Sequence, residues 1–182
     1  MRKGGKDVMN YYESEDLLIR PMQPGDAEKI VEAELRQGWH SKLSGYLKRL
    51  EDQRAGLSHA LIAVYRGEVA GYVNVYLNSL WGAFGGKGLP EIVDFGVMEA
   101  YRKRGIGSKL MDTAEQIAAR YADTVYLGVG LHSGYGSAQR MYARRGYIPD
   151  GSGVWYGDTV CEPYSTCTND DELVLYLSKK LK

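Results

Sequence analysis

The residues best placed to do chemistry in this chain are Arg102, Gly105 and Gly107, an R-x-x-G-x-G run within Ile92 to Leu110, IVDFGVMEAYRKRGIGSKL. The segment reads as a buried strand, a basic glycine turn and the first turns of an amphipathic helix. Backbone N–H groups at such a junction point at an anion, and two glycines let that anion approach the main chain. Arg102, Lys103 and Arg104 add positive charge where a polyphosphate would sit. Spacing excludes two rival phosphate motifs. A dinucleotide fingerprint needs glycine where Leu110 stands, and no stretch supplies a Walker loop. The bland alternative is a turn with exposed basic residues and a helix that needs glycine for close packing.

The elements around that turn follow from periodicity. Residues 1–12 are polar and read as a flexible N-terminal arm ahead of a single domain over 13–182. Leu17 to Met22 reads as a strand. Asp26 opens a helix with Ile30, Val31, Ala33 and Leu35 as its apolar stripe, and Ser41 to Ala55 repeats the pattern through Leu43, Tyr46, Leu47 and Leu50. His59 to Arg66 and Glu68 to Leu77 are strands joined by a tight Arg66-Gly67 hairpin turn. Asn78 to Leu89 holds four glycines and reads as a flexible loop. Glu91 to Met98 is the fourth strand and Ile106 to about Tyr121 the next helix. Thr124 to Leu131 is a strand, Gly136 to Arg145 a helix closed by Gly146, and Tyr147 to Tyr156 and Leu173 to Leu177 end the order as strands.

Composition narrows the function classes. The chain has 182 residues, enough for one domain, and 23 basic residues against 23 acidic ones, which argues against nucleic acid or an anionic membrane as partner. No apolar run is long enough to span a bilayer, and the N-terminus lacks a hydrophobic signal core. Cys161 and Cys167 leave a short intracellular redox pair or a zinc half-site as alternatives, but no second Cys/His pair completes four ligands, so two reduced thiols and a cytoplasmic location are the expectation, with no metal.

The element order, A-Y-R-K-R-G-I-G-S-K-L at Ala100 to Leu110, and A-Q-R-M-Y-A-R-R-G-Y at Ala138 to Tyr147 together resemble the GNAT superfamily of acyl-CoA-dependent N-acetyltransferases, strongest from Pro90 to Pro149. The C-terminal tail resembles that of uncharacterised bacterial members. The resemblance implies an α/β (α+β) single-domain fold with a mixed, mostly antiparallel seven-stranded sheet, splayed between strands 4 and 5 and flanked by about four helices. It implies acetyl-CoA as co-substrate, with the pyrophosphate of coenzyme A on Arg102, Lys103, Arg104, Gly105, Ile106, Gly107 and Ser108. The pantetheine arm would pair with the strand edge at Phe95, Gly96 and Val97, and the Val97 N–H would face the thioester oxygen. One departure is Tyr135, where the family often has asparagine.

What the resemblance implies for catalysis is a direct transfer from acetyl-CoA to a primary amine of a small molecule or peptide. An ammonium has no lone pair, so the amine must lose a proton, and a carboxylate can accept it. Glu91 and Asp94 are the candidates; strand alternation would put them on opposite faces, with a solvated Glu91 and a buried Asp94 as the ordinary structural reading. Tyr142 aligns with the family's helix tyrosine and would give a proton or hydrogen bond to the departing thiolate, besides touching the cofactor. His132, ending the fifth strand, keeps a catalytic or substrate role open. A homodimer is a family-level expectation, and a non-catalytic acyl-CoA-binding or sensing module is the alternative function.

Overall fold

The structure, a computed structural model, describes residues 10–181. Its strands are β1 Tyr12–Glu13, β2 Leu17–Pro21, β3 Ser58–Tyr65, β4 Glu68–Tyr76, β5 Glu91–Val97, β6 Thr124–Gly130, β7 Ile148–Tyr156, β8 Thr159–Val160 and β9 Leu173–Lys180. The helices are α1 Asp26–Arg36, α2 Leu43–Arg54, α3 Ile106–Ala118 and α4 Gly136–Arg144. The strands form one sheet in the order β1-β2-β3-β4-β5-β6-β9-β7-β8. The count is nine rather than the expected seven because β1 and β8, two residues each, are too short to show an alternation. Most of the expected arm lies outside the described residues; at its end the Tyr11 N–H donates to Ile19 O and Tyr12 pairs with Ile19.

The chain divides into two compact units. The first comprises the residues up to Asn74 together with Asp94–Ala114, the second Val75–Val93 with Glu115 onward. In the first, β2 and β3 pair antiparallel from Leu17↔Tyr65 to Pro21↔Leu61. The β3–β4 hairpin turns through Arg66 at φ 50° and Gly67 at φ 89°, the two positive dihedrals of a tight primed turn. Helices α1 and α2 cover this half with Ala27, Ile30, Tyr46 and Leu50, which pack with Met22, Ala60, Ile62, Tyr72 and Met98. The α1 stripe matches the expected one at Ile30, Val31 and Ala33, which lie in or against that core, and departs from it at Leu35. Leu35 is 57% exposed, and Glu34, on the same helix face as Ala27 and Ile30, is buried instead. Leu43 and Leu47 of α2 are likewise exposed.

In the second unit β6 and β9 pair antiparallel along their whole length, Thr124↔Lys180 to Gly130↔Val174. β7 joins β9 with a register shift between Pro149 and Val154. β5 meets β6 in parallel at Glu91↔Tyr126. Val125, Tyr126, Leu127 and Val129 are buried, each apolar side chain contributing about 1.5–3 kcal/mol. Among the described residues no helix is long and apolar enough to cross a membrane.

Candidate active site

The first unit carries the basic turn. After β5 the chain makes one tight turn at Glu99–Tyr101, then runs extended at Arg102, φ −64° and ψ 159°. Lys103 at φ 60° and Gly105 at φ 78° are both left-handed. The first N–H groups of α3, which follow directly, have no partner inside their helix. The two glycines serve different ends. A Cβ at Gly105 would meet nothing within 4 Å, so glycine there answers the dihedral and leaves the main chain open. A Cβ at Gly107 would sit 3.2 Å from Phe95 Cζ and 3.4 Å from Val97 Cγ2, so glycine there lets α3 lie on β5. Packing thus explains Gly107, as the bland reading held, and leaves Gly105 unexplained by crowding.

The basic side chains are held at the turn. Arg102 Nε donates to Val97 O at 3.3 Å, its guanidinium pairs with Glu99 at 3.6 Å, and it lies over the Trp39 ring at 5.4 Å. Arg104 lies over Tyr65 at 5.6 Å.

β5 itself is distorted. Asp94 takes φ 54°, a left-handed dihedral inside a strand, which interrupts the pleat much as a bulge does. Glu91 is buried and Asp94 is exposed, the reverse of the ordinary reading. Asp94 Oδ2 pairs with Arg49 Nε of α2 at 2.8 Å. Two residues on, Gly96 is crowded: a Cβ there would lie 2.6 Å from Tyr72 Cζ and Oη. Glycine at 96 is required by the ring that rests on it.

That ring belongs to a cluster that sequence reasoning missed. The buried Glu34 carboxylate accepts hydrogen bonds from Ser41 Oγ at 2.5 Å, from Tyr46 Oη at 2.7 Å and from Tyr72 Oη. Burial pushes both phenols up, so they remain donors. The Arg49 guanidinium stacks on Tyr46 at 4.2 Å and faces Tyr72 at 5.8 Å. A chain of contacts therefore runs Glu34, Tyr72, Gly96 on one side and Arg49, Asp94 on the other. The available signal was a glutamate on the Ala27–Ile30 helix face.

In the second unit Glu91 lies beside two phenols. Tyr126 is pushed up by burial and then by the Glu91 charge. Tyr176 is pushed up to about 12 by burial, with Glu91, Asp158 and Glu172 adding. The glycine loop closes over them: a Cβ at Gly82 would strike the Tyr176 ring at 2.1 Å, and Phe84 packs on Tyr126 at 4.9 Å.

Tyr142 is buried near the end of α4, and its position follows from how that helix stops. The Gly146 N–H donates to Ala143 O and the Tyr147 N–H to Tyr142 O, both at 3.1 Å, with Gly146 at φ 86°. This is a Schellman cap, and its customary apolar contact is the Tyr142–Tyr147 ring pair at 5.7 Å. Burial, then the neighbouring Tyr135, pushes the Tyr142 phenol up, so it carries its proton at neutral pH. Tyr135 packs edge-on to His132 at 4.7 Å and donates from Oη to Asp171 at 2.9 Å. His132 Nδ1 accepts the Gly134 N–H at 3.1 Å, so Nε2 bears the proton and donates to Asp171 at 3.0 Å. Both ring nitrogens are engaged, which fits a structural histidine.

Strand, basic left-handed turn and helix stand in the order that the sequence resemblance implied for an acyltransferase. A sequence model of the acetyltransferase (GNAT) family matches residues 26–147, and the chain belongs to that family. Solved structures agree in fold. A putative acetyltransferase, yncA from Salmonella typhimurium with its cofactor acetyl-CoA, is 16% identical with a TM-score of 0.66, covering 92% of this chain and 95% of that one. RimL, the ribosomal L7/L12 alpha-N-protein acetyltransferase, is 11% identical with a TM-score of 0.70, covering 99% and 98%. The ribosomal-protein-S18-alanine N-acetyltransferase from Escherichia coli is 12% identical with a TM-score of 0.66, covering 91% and 94%. No curated protein matches the chain in sequence. At these identities the likeness is one of fold.

Proposed function

We propose that this protein transfers an acetyl group from acetyl-CoA to a primary amine of a small molecule or peptide, by direct attack with both substrates bound. The observation that carries this reading is the turn Arg102–Ser108, where left-handed Lys103 and Gly105 precede the start of α3 and a Cβ at Gly105 would meet only open space. Such a turn suits the pyrophosphate of coenzyme A, with N–H groups and the helix dipole as its donors. Phe95, Gly96 and Val97 are assigned to the pantetheine arm, and the Val97 N–H to the thioester oxygen. Tyr142, protonated at neutral pH, is assigned the proton for the departing thiolate.

Between the two carboxylates the geometry favours Glu91 as the base that takes the amine proton. Asp94 already has its charge matched by Arg49, whereas Glu91 is buried beside phenols. Aromatic and acidic neighbours such as Tyr126, Tyr176 and Asp158 also suit a cationic amine. The acceptor, a homodimeric state and a cytoplasmic location are parts of the same reading.

The test is a thermal shift with acetyl-CoA, coenzyme A, ATP and NAD side by side, followed by thiol release with an amine panel. A ligand at a hundred times its Kd adds about 2.7 kcal/mol of stability. A rise with both coenzyme A forms alone supports the site, and no rise with either refutes it. Glu91→Gln and Tyr142→Phe should then lower turnover while leaving that shift in place. Normal turnover in both would overturn the mechanism, and coenzyme A binding without transfer to any amine would favour the sensing module.

A further inference from the structure

The loop between β8 and β9 carries two thiols that the proposed transfer does not use. Cys161 is half-buried, Cys167 is exposed, and both are free. They touch one another: the Cys167 thiol is hydrogen-bonded to Cys161 Sγ at 3.0 Å. The intervening turn brings them together. The Cys161 N–H donates to Val154 O at 2.8 Å, which fixes that thiol's backbone on β7. The Ser165 N–H donates to Glu162 O at 3.0 Å, and Tyr164 adopts a left-handed φ of 67° with its ring wholly in solvent. The chain thus doubles back within six residues, and Ser165 Oγ lies 3.8 Å from Cys167 Sγ. This pair lies at the surface, where side-by-side thiols bring little packing energy and low-molecular-weight reagents have access.

We propose that Cys161 and Cys167 are a reversible dithiol–disulfide couple, oxidised by low-molecular-weight disulfides and reduced by the corresponding thiols, and that its state sets the order of the loop 157–172. The exposed Cys167 reacts first. Its thiolate attacks one sulfur of the small disulfide, forming a mixed disulfide and expelling one thiolate. Cys161 then gives up its proton to solvent and attacks Cys167 Sγ, expelling the second thiolate. Two S–H bonds are lost and one S–S bond forms, and the same two electrons reduce the small disulfide to two thiols. The hydrogen bond with Cys167 pushes the Cys161 thiol up.

The loop has something to order. Asp158 at its start accepts the Gly82 N–H at 2.7 Å, and Asp171 at its end accepts from His132 and Tyr135. Closing a ring at 161–167 restricts the segment between these two anchors. In a reducing compartment disulfides of this kind are transient and redox-sensing rather than structural.

The experiment uses the full chain in glutathione buffers of graded ratio, quenched by acid and alkylation and read by intact mass. Both thiols should vanish together, without retained glutathione, and return on adding reduced glutathione. Cys161→Ser should hold one glutathione on Cys167, because no resolving thiol remains. Survival of both thiols in excess oxidised glutathione would overturn the proposal, as would accumulation of glutathione adducts or chain dimers in the native chain. Hydrogen exchange across 157–172 should slow in the oxidised form; equal exchange in the two forms would overturn the ordering. None of these readouts depends on acetyl transfer.

Discussion

Gly96→Ala tests whether the Glu34 cluster is as fixed as its hydrogen bonds imply. The new methyl would lie 2.6 Å from Tyr72 Cζ and Oη and 3.1 Å from Cε2. Carbon contacts settle near 3.5–4.0 Å, so the ring must retreat by about 1 Å. A free tyrosine tip would do so at little cost. This one is buried, packed edge-on to Tyr46 at 5.4 Å, and bonded to a buried carboxylate. Overpacking of this kind costs about 1–3 kcal/mol, and leaving a buried carboxylate short of a donor costs about 1–3 kcal/mol more. The two overlap, and a total near 3 kcal/mol lowers the melting temperature by about 6–12 °C for a chain of this size. Urea unfolding and calorimetry of the single variant are the assay. Gly96→Ala combined with Tyr72→Leu closes a double-mutant cycle, in which a coupling of about 1–3 kcal/mol is expected because the smaller side chain makes room. A Gly96→Ala variant within about 0.5 kcal/mol of the parent, a change typical of ordinary surface positions, would refute the claim that the cluster holds the ring in place.

Three further outcomes follow from the same geometry. Gly45→Ala in the first turn of α2, where a Cβ meets nothing within 4 Å, should raise stability by about 0.4–1 kcal/mol, seen as a higher urea midpoint. Tyr46→Phe keeps the ring pair with Tyr72 but removes one donor from Glu34, and should cost about 1–3 kcal/mol at unchanged urea m-value. Glu115 gives a pH dependence. Burial pushes its carboxyl up, but Arg145 at 2.9 Å and Lys179 at 2.7 Å outweigh that and hold it below the usual 4.5. Its folded pKa is depressed, so its contribution is fully present above 4.5 and lost as pH falls through the lower folded value. Melting curves across that acid range should show a smaller drop for Glu115→Gln than for the parent.

The long elements were legible in the sequence because they are periodic. All seven longer strands and the four helices lie where alternation and 3.6-residue spacing put them, and Gly146 closes α4 as its position implied. What escaped was set by tertiary contacts. Glu34 reads as a polar interruption of an apolar stripe, because the hydroxyls that make its burial tolerable come from residues 7, 12 and 38 positions away. The burial of Glu91 and Asp94 is the reverse of the ordinary reading because alternation separates the two faces of β5 without saying which of them the rest of the fold covers. The basic turn was visible through its glycines, but only coordinates separate the dihedral at Gly105 from the helix packing at Gly107. Tyr135, unexplained in the sequence, finds its reason in Asp171, which arrives from the far end of the loop.

The way the two units are strung along the chain bears on how the protein is made. Each takes two separate stretches, and the first is incomplete without Asp94–Ala114. A nascent chain that has released everything up to Asn74 therefore holds β4 with no β5 beside it, the Ala70 carbonyl lacking the Met98 N–H and Tyr72 lacking Gly96. At about 5–20 residues per second the ribosome needs roughly 1–5 s to supply the next 24 or so residues, through β5 to Met98. For that interval a strand bearing Ala70, Tyr72 and Val73 presents an open edge. On the growing chain that edge stays a template for pairing with other chains until β5 arrives to cover it.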